Sequence, residues 1–286
     1  MSSSAAIKNI FASGNMELSE KTYEKFQNKI YILAGVSLPF SPKNHSLLKN
    51  RLSKVIRNHN MNSYEQYWEY LEIGDESVIN EFISTMTTNM TSFFRESAHF
   101  DFFKRELPKI VKSNSEIRIW CAAASTGQEP YTIALSAAEV LQPSELQKIK
   151  ILATDIDLEV LKKASKAIYN TKEVEGLTEI FLNRYFDHSQ LNNENYYRVK
   201  KEIHKLIHFA PFNLISSQYS FKSGFHFIFC RNVLIYFDKE TTQKVIENLT
   251  KCLGPTGILF LGHSESGNVQ QKQLTPLQQA VFQKRS

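Results

Sequence analysis

The chain predicts an α/β protein, with a helical domain ahead of a domain built on a parallel sheet. Three observations carry that expectation. Up to about residue 85, apolar residues recur at helical spacing. From about residue 115, short apolar runs (IRIWC, KILATD, FHFIFC, GILFLG) alternate with amphipathic stretches, the signature of βαβ units. The length of 286 residues suits one large domain or two modest ones at about 150 residues each.

The first helix places Tyr23, Phe26, Ile30 and Leu33 on one face and stops at Gly35. After the link VSLPFSP, a second helix lines Leu48, Leu52, Val55 and Ile56 on one side. On its other side Arg51, Lys54 and Arg57 recur every three residues. Ser63 and Gln66 form a capping box for a third helix, and Val78, Phe82 and Met86 mark a fourth. These elements define a helical domain over 1–87. The second domain, 88–286, carries the βα alternation and ends in a strand near AVFQ. Within it, about 187–209 breaks the pattern, and YYRV and KLIHF read as strands of a small antiparallel insert.

Composition narrows the class. Hydrophobic residues make up 42% and charged residues 22%, and 20 Phe and 12 Tyr supply a core, so bulk disorder is excluded. Apolar runs such as ILFL are too short to span a bilayer, and MSSSAAIKNIF reads as no secretion signal. Three scattered cysteines make neither a disulfide framework nor a metal-ligand spacing, so the expected compartment is a reducing cytoplasm. The histidines are spread without i, i+4 pairing, and no metal is expected. A net charge of +5 names no anionic partner by itself.

The segment IWCAAASTGQEPYTIAL, 119–135, carries the most chemistry. A buried strand ends at Cys121, small residues turn the chain, and a helix begins near Pro130. That fits either a ligand approaching the backbone at a strand's carboxyl end or a plain tight connection. There is no GxGxxG and no GxxxxGK[ST], so neither a dinucleotide nor a P-loop phosphate is indicated. Asp155 ends the next strand, where a carboxylate can accept from both hydroxyls of a ribose; Asp157 is the better placed to cap the following helix.

Five segments together, TTNMTSFFRE, AAASTGQEPYTIAL, ATDID, FCRNVLIYFD and GHSES, resemble the CheR family of chemotaxis receptor methyltransferases, which depend on S-adenosylmethionine. The resemblance runs from about residue 15 to the end. It implies a class I SAM-dependent methyltransferase (Rossmann-like) domain, a small inserted antiparallel β-subdomain and an all-α N-terminal domain. By position, Asn89, Thr91 and Arg95 match a motif that lines the cofactor pocket. Glu129 and Asp155 match acidic cofactor contacts, and Gln128 departs from the more usual Glu beside Glu129. Asn213 and Leu214 match the loop flanking the adenine, and Arg231 and Asn232 follow the fourth strand, with Tyr236 just beyond.

The implied reaction is methyl transfer to glutamate carboxylates of methyl-accepting receptors, leaving S-adenosylhomocysteine. A glutamate of pKa about 4.3 is already ionised at neutral pH, so no general base is needed. Arg95 and Tyr236 are the candidate catalytic residues. Arg95 suits a carboxylate, of the cofactor or of the target, because it would repel a sulfonium. Tyr236 suits either orienting the carboxylate through its hydroxyl or facing the sulfonium with its ring. The Arg51, Lys54 and Arg57 row matches the part of the family that docks the receptors' cytoplasmic helices. Members that bind a receptor's C-terminal pentapeptide carry a glycine-containing loop in the β-subdomain; FDHSQLNNENYYRV has no glycine, so pentapeptide-independent recognition is expected. A monomer with neither nucleic acid nor membrane insertion completes the expectation; no NPPY-type motif for amino-group methylation is present.

Overall fold

The computed structural model describes residues 16–222, 224–268 and 272–285; the segment read as lacking a secretion signal lies outside them. The chain divides into two compact units. One comprises the chain as far as Ile32 together with Leu38–Met86, and the other Leu33–Ser37 together with the chain from Thr87 onward.

The first unit is built from α1 (Glu20–Ala34), α2 (Pro42–Asn58), α3 (Tyr64–Ile73) and α4 (Glu76–Met86). Ser41 starts α2 by accepting from the Asn44 N–H at 3.1 Å, and Pro42 stands in the first turn, where its missing N–H costs nothing. The four apolar residues expected on one face of α2 are all buried. Ser63 caps α3 by accepting from the Gln66 N–H, but the Gln66 side chain reaches back to the Asn62 N–H, one residue before the cap. Tyr23, Phe26, Tyr67 and Phe82 form the centre, all without exposed surface. Gly35 ends α1 with φ +71°, and a Cβ there would run into Ile215, so both the turn and the close approach require glycine.

The second unit opens with α5 (Ala98–Val111), β1 (Ile117–Cys121), α6 (Gln128–Val140), α7 (Pro143–Leu146), β2 (Ile149–Asp155) and α8 (Leu158–Lys166). Next come β3 (Ile168–Asn170), α9 (Glu179–Tyr185), β4 (Phe186–Leu191), β5 (Glu194–Val199), α10 (Lys201–His204), β6 (Ile207–Pro211) and β7 (Phe225–Cys230). It closes with α11 (Lys239–Cys252), β8 (Leu253–Leu261), β9 (Leu274–Gln278) and β10 (Val281–Lys284). Seven strands form one sheet in the order β6-β2-β1-β7-β8-β10-β9, parallel except at β10, which is antiparallel to both neighbours. That order is the class I methyltransferase form of the doubly wound sheet. Alternate residues serve opposite faces: Ile119, Cys121, Phe227 and Phe229 join the core under α5 and α6, while Trp120, Ile228 and Cys230 join the core under α11. Burial on both faces explains the unbroken apolar runs in the sequence.

One expectation is corrected. KLIHF contributes no strand to the insert: Ile207–Pro211 pairs in parallel with β2 and forms an edge of the main sheet. The separate three-stranded antiparallel sheet is β3-β5-β4, so its third strand precedes the expected segment at Ile168–Asn170. Among the described residues no helix is long and apolar enough to cross a membrane.

Candidate active site

The carboxyl ends of β1, β2 and β7 place most of the expected residues. After Cys121 the chain makes a tight turn in which Ser125 (φ +48°) and Gly127 (φ +98°) are left-handed. Gly127 precedes α6, and a Cβ there would lie 2.6 Å from the Tyr169 hydroxyl. The turn is fixed to Asp155, whose Oδ2 accepts from the Ser125 N–H at 2.8 Å and whose Oδ1 accepts from the Asp157 N–H at 3.0 Å. Burial pushes the Asp155 carboxyl up to about 6 despite those two donors. Asp157 caps α8 through the Glu159 and Val160 N–H groups. Its other oxygen takes the Asn89 amide at 2.8 Å and the Thr87 hydroxyl at 3.0 Å, and the Asn89 carbonyl accepts from the Ser125 hydroxyl at 3.0 Å. Asn89 therefore ties its segment to β2 and to the turn, while Thr91 stands partly exposed on the same segment.

A second cluster centres on Arg231, 4% exposed. Its Nη1 donates to Glu129 Oε2 at 2.6 Å, and its Nη2 donates to the Arg95 carbonyl at 2.5 Å and to Glu96 Oε2 at 3.0 Å. The guanidinium lies over the Phe100 ring, 5.3 Å from its centroid. Burial opposes the charge on Arg231, but Glu129 and Glu96 hold its pKa above the usual value. Glu129 is pushed up by burial against the pull of Arg231. Asn232 is left-handed (φ +58°) and donates its amide to Glu96 Oε1 at 3.1 Å. Glu265, buried, accepts from the N–H groups of Asn232, Leu234, Ile235 and Gly262 and so shapes the loop that carries Tyr236.

Other expected residues lie around these clusters. Arg95 is half-buried and donates Nη1 to the Met90 carbonyl at 2.9 Å; among the described residues it pairs with no carboxylate. Asn213 is committed to a turn, donating to the Leu33 carbonyl at 2.8 Å and accepting from the Ile215 N–H at 3.2 Å, and Leu214 is a core residue. The Tyr236 carbonyl accepts from the Ser37 N–H at 2.8 Å, and its side chain is partly exposed. On α2, Lys54 and Arg57 are exposed, whereas Arg51 donates to the Met86 carbonyl. The Cys230 thiol is buried and pushed up, as suits a small apolar residue rather than a nucleophile.

Sequence reasoning missed Glu96 and Glu265 as site residues, although both stand inside segments that carry the resemblance. Glu96 also lies near His99 and His263, with potential ligand atoms all within 4.8 Å. Both Glu96 oxygens are already engaged by Arg231 and Asn232, so a cation there would have to displace a guanidinium.

The donor set fits a nucleoside cofactor with a cationic sulfonium. Asp155 keeps a lone pair on each oxygen for ribose hydroxyls, the turn before α6 is lined by small residues, and carboxylates outnumber the one buried arginine. Sheet order and site together define a class I S-adenosylmethionine-dependent methyltransferase. More narrowly, the chain belongs to the CheR methyltransferase family: the model of its all-alpha domain matches residues 21–87, and that of its SAM binding domain residues 89–282. Chemotaxis protein methyltransferase of Escherichia coli K12 is 37% identical over 268 residues, covering 93% of this chain and 92% of that protein. Chemotaxis protein methyltransferase 2 of Pseudomonas aeruginosa is 34% identical, covering 90% of each chain. The Borreliella burgdorferi chemotaxis protein methyltransferase is also 34% identical, covering 92% of this chain and 94% of that one.

Proposed function

We propose that this chain methylates glutamate side-chain carboxylates of chemotaxis receptors, forming glutamyl methyl esters that set receptor adaptation. The observation that carries the reading is Arg95: a partly accessible guanidinium with no carboxylate partner among the described residues, its backbone held by Arg231. Such a group is suited to receive a carboxylate from outside the chain.

S-adenosylmethionine supplies a methyl group on a sulfonium, and a glutamate oxygen, already ionised, accepts it without proton transfer. The chain's task is then to bind, orient and exclude water. When the cofactor is bound, Asp155 would accept from the ribose hydroxyls, Glu129 and Asn89 with Thr91 would hold the methionyl end, and Asn213 and Leu214 would flank the adenine. Arg231 and Asn232 would lie beside the methyl group that is transferred. Tyr236 orients the target, and Arg95 holds a carboxylate, either the target's or the cofactor's. The exposed pair Lys54 and Arg57 on α2, with Arg51 at its edge, attracts acidic receptor helices. The β4–β5 hairpin turns at Asn192 and Asn193, φ +50° and +62°, without the glycine-containing loop of pentapeptide-binding relatives, and recognition here is independent of that peptide.

The test is transfer of labelled methyl from S-adenosylmethionine to receptor-bearing membranes, followed by mild alkali. Esters release volatile methanol; base-stable label would overturn the carboxylate reading. Retention of the protein on an immobilised receptor C-terminal pentapeptide would overturn pentapeptide independence.

A further inference from the structure

We infer that Glu96 is a positioning residue for methyl transfer, acting through Arg95; the inference rests on the proposed function above. Its two oxygens bridge two parts of the site, one taking Arg231 Nη2 at 3.0 Å and the other the Asn232 amide at 3.1 Å. The same Arg231 nitrogen donates to the carbonyl of Arg95, so one carboxylate and one guanidinium clamp the turn that presents the Arg95 side chain.

Backbone geometry supplies an independent argument. Phe94 (φ +52°) and Glu96 (φ +55°) are left-handed on either side of Arg95, and Asn232 (φ +58°) is left-handed on the facing loop. Non-glycine residues hold that conformation only where their surroundings over-determine it. Here the over-determination is the Glu96 clamp, together with Glu265 behind Asn232. Burial alone would raise the Glu96 carboxyl, but the Asn232 amide and the Arg231 charge hold it below its usual value, so it stays ionised for the task. Glu129 cannot replace it, because its bond is to the other guanidinium nitrogen.

The consequence is that Glu96 sets where the Arg95 guanidinium points without itself touching a substrate. A displacement of about 1 Å at a positioned group costs on the order of 100-fold in rate, so Glu96→Gln should lower methylation at saturating S-adenosylmethionine by roughly 10- to 100-fold. Glu96→Ala should lower it further, because the amide of Gln retains one acceptor for Arg231.

The experiment is a double-mutant cycle of Glu96→Gln with Arg95→Ala, reading methylation rate, S-adenosylhomocysteine affinity and melting temperature for each protein. A positioning role predicts that Glu96→Gln costs little once Arg95 is gone. It also predicts a split that general unfolding does not produce: the melting temperature holds while the rate falls, and any loss of product affinity caused by Glu96→Gln disappears once Arg95 is gone. Multiplicative losses, or a fall in affinity and melting temperature that accounts for the whole rate loss, would overturn it. Full activity in Arg95→Ala would overturn it too. Base-stable label in the wild type sinks the carboxylate reading instead, and the cycle is then read on the acceptor that is labelled.

Discussion

Arg231 has no exposed side-chain surface and two carboxylate partners, while Lys54 and Arg57 stand in water on α2. The difference separates two uses of positive charge. A buried guanidinium is costly unless its charge is paired; with two carboxylates and the Arg95 carbonyl on its terminal nitrogens, Arg231 acts as a fixed joint between β7, α6 and the turn at Arg95. An exposed pair is screened by salt and holds no geometry, but it acts at a distance on an approaching anion.

The largest break in that comparison is Arg231→Ala, which leaves the buried Glu129 and the partly buried Glu96 without their cation. We expect a loss of about 3–5 kcal/mol in denaturant unfolding of the second unit. Lys54→Ala or Arg57→Ala should change stability by less than about 0.5 kcal/mol in the same measurement. Next in size is Asp155→Asn, which leaves one acceptor oxygen where the proposed function calls for two at the ribose; S-adenosylhomocysteine affinity should fall about 10- to 100-fold by calorimetry. The wild type should show the same group in its pH profile. The carboxyl sits at about 6 in the free protein, above the ordinary value of 3.8, and the ionised form accepts from the hydroxyls. Product affinity is therefore full well above pH 6 and weakens as pH falls through about 6, and the Asn variant should lose that dependence. Smallest is the exposed row: Lys54→Glu with Arg57→Glu should slow association with receptor membranes about tenfold at low salt and much less at high salt. An equal effect at both salts would mean that the pair makes fixed contacts, as Arg231 does.

The two regions also differ in how far the sequence discloses them. The α2 face follows from periodicity alone, because residues three and four apart share a side. Asp157 as a cap is likewise local, its partners two and three residues on. Glu96 is 136 residues from its Asn232 partner, and Glu265 reaches back 33 residues to Asn232, so no spacing rule joins them. KLIHF is hard to place from sequence for a related reason. As an edge strand it keeps His208 exposed and lacks the unbroken apolar run of the inner strands, and its partner β2 lies on the far side of the inserted sheet in sequence. Of the final β9–β10 hairpin only the second strand is legible in the sequence, because β9 buries Leu274 alone among its first four residues.

Trp120 is fully buried among Phe212, Tyr219, Phe221 and Phe225, and its indole N–H donates to Thr154 at 2.9 Å, beside Asp155. The sequence's other tryptophan, Trp68, lies partly exposed on α3 in the first unit, edge-on to Phe26. Each unit thus carries one tryptophan in a distinct setting. Blue-shifted emission tracks the sheet and its cofactor edge, and redder emission tracks the helical unit. With one tryptophan replaced by phenylalanine at a time, the melting of each unit becomes an optical signal that needs no attached label.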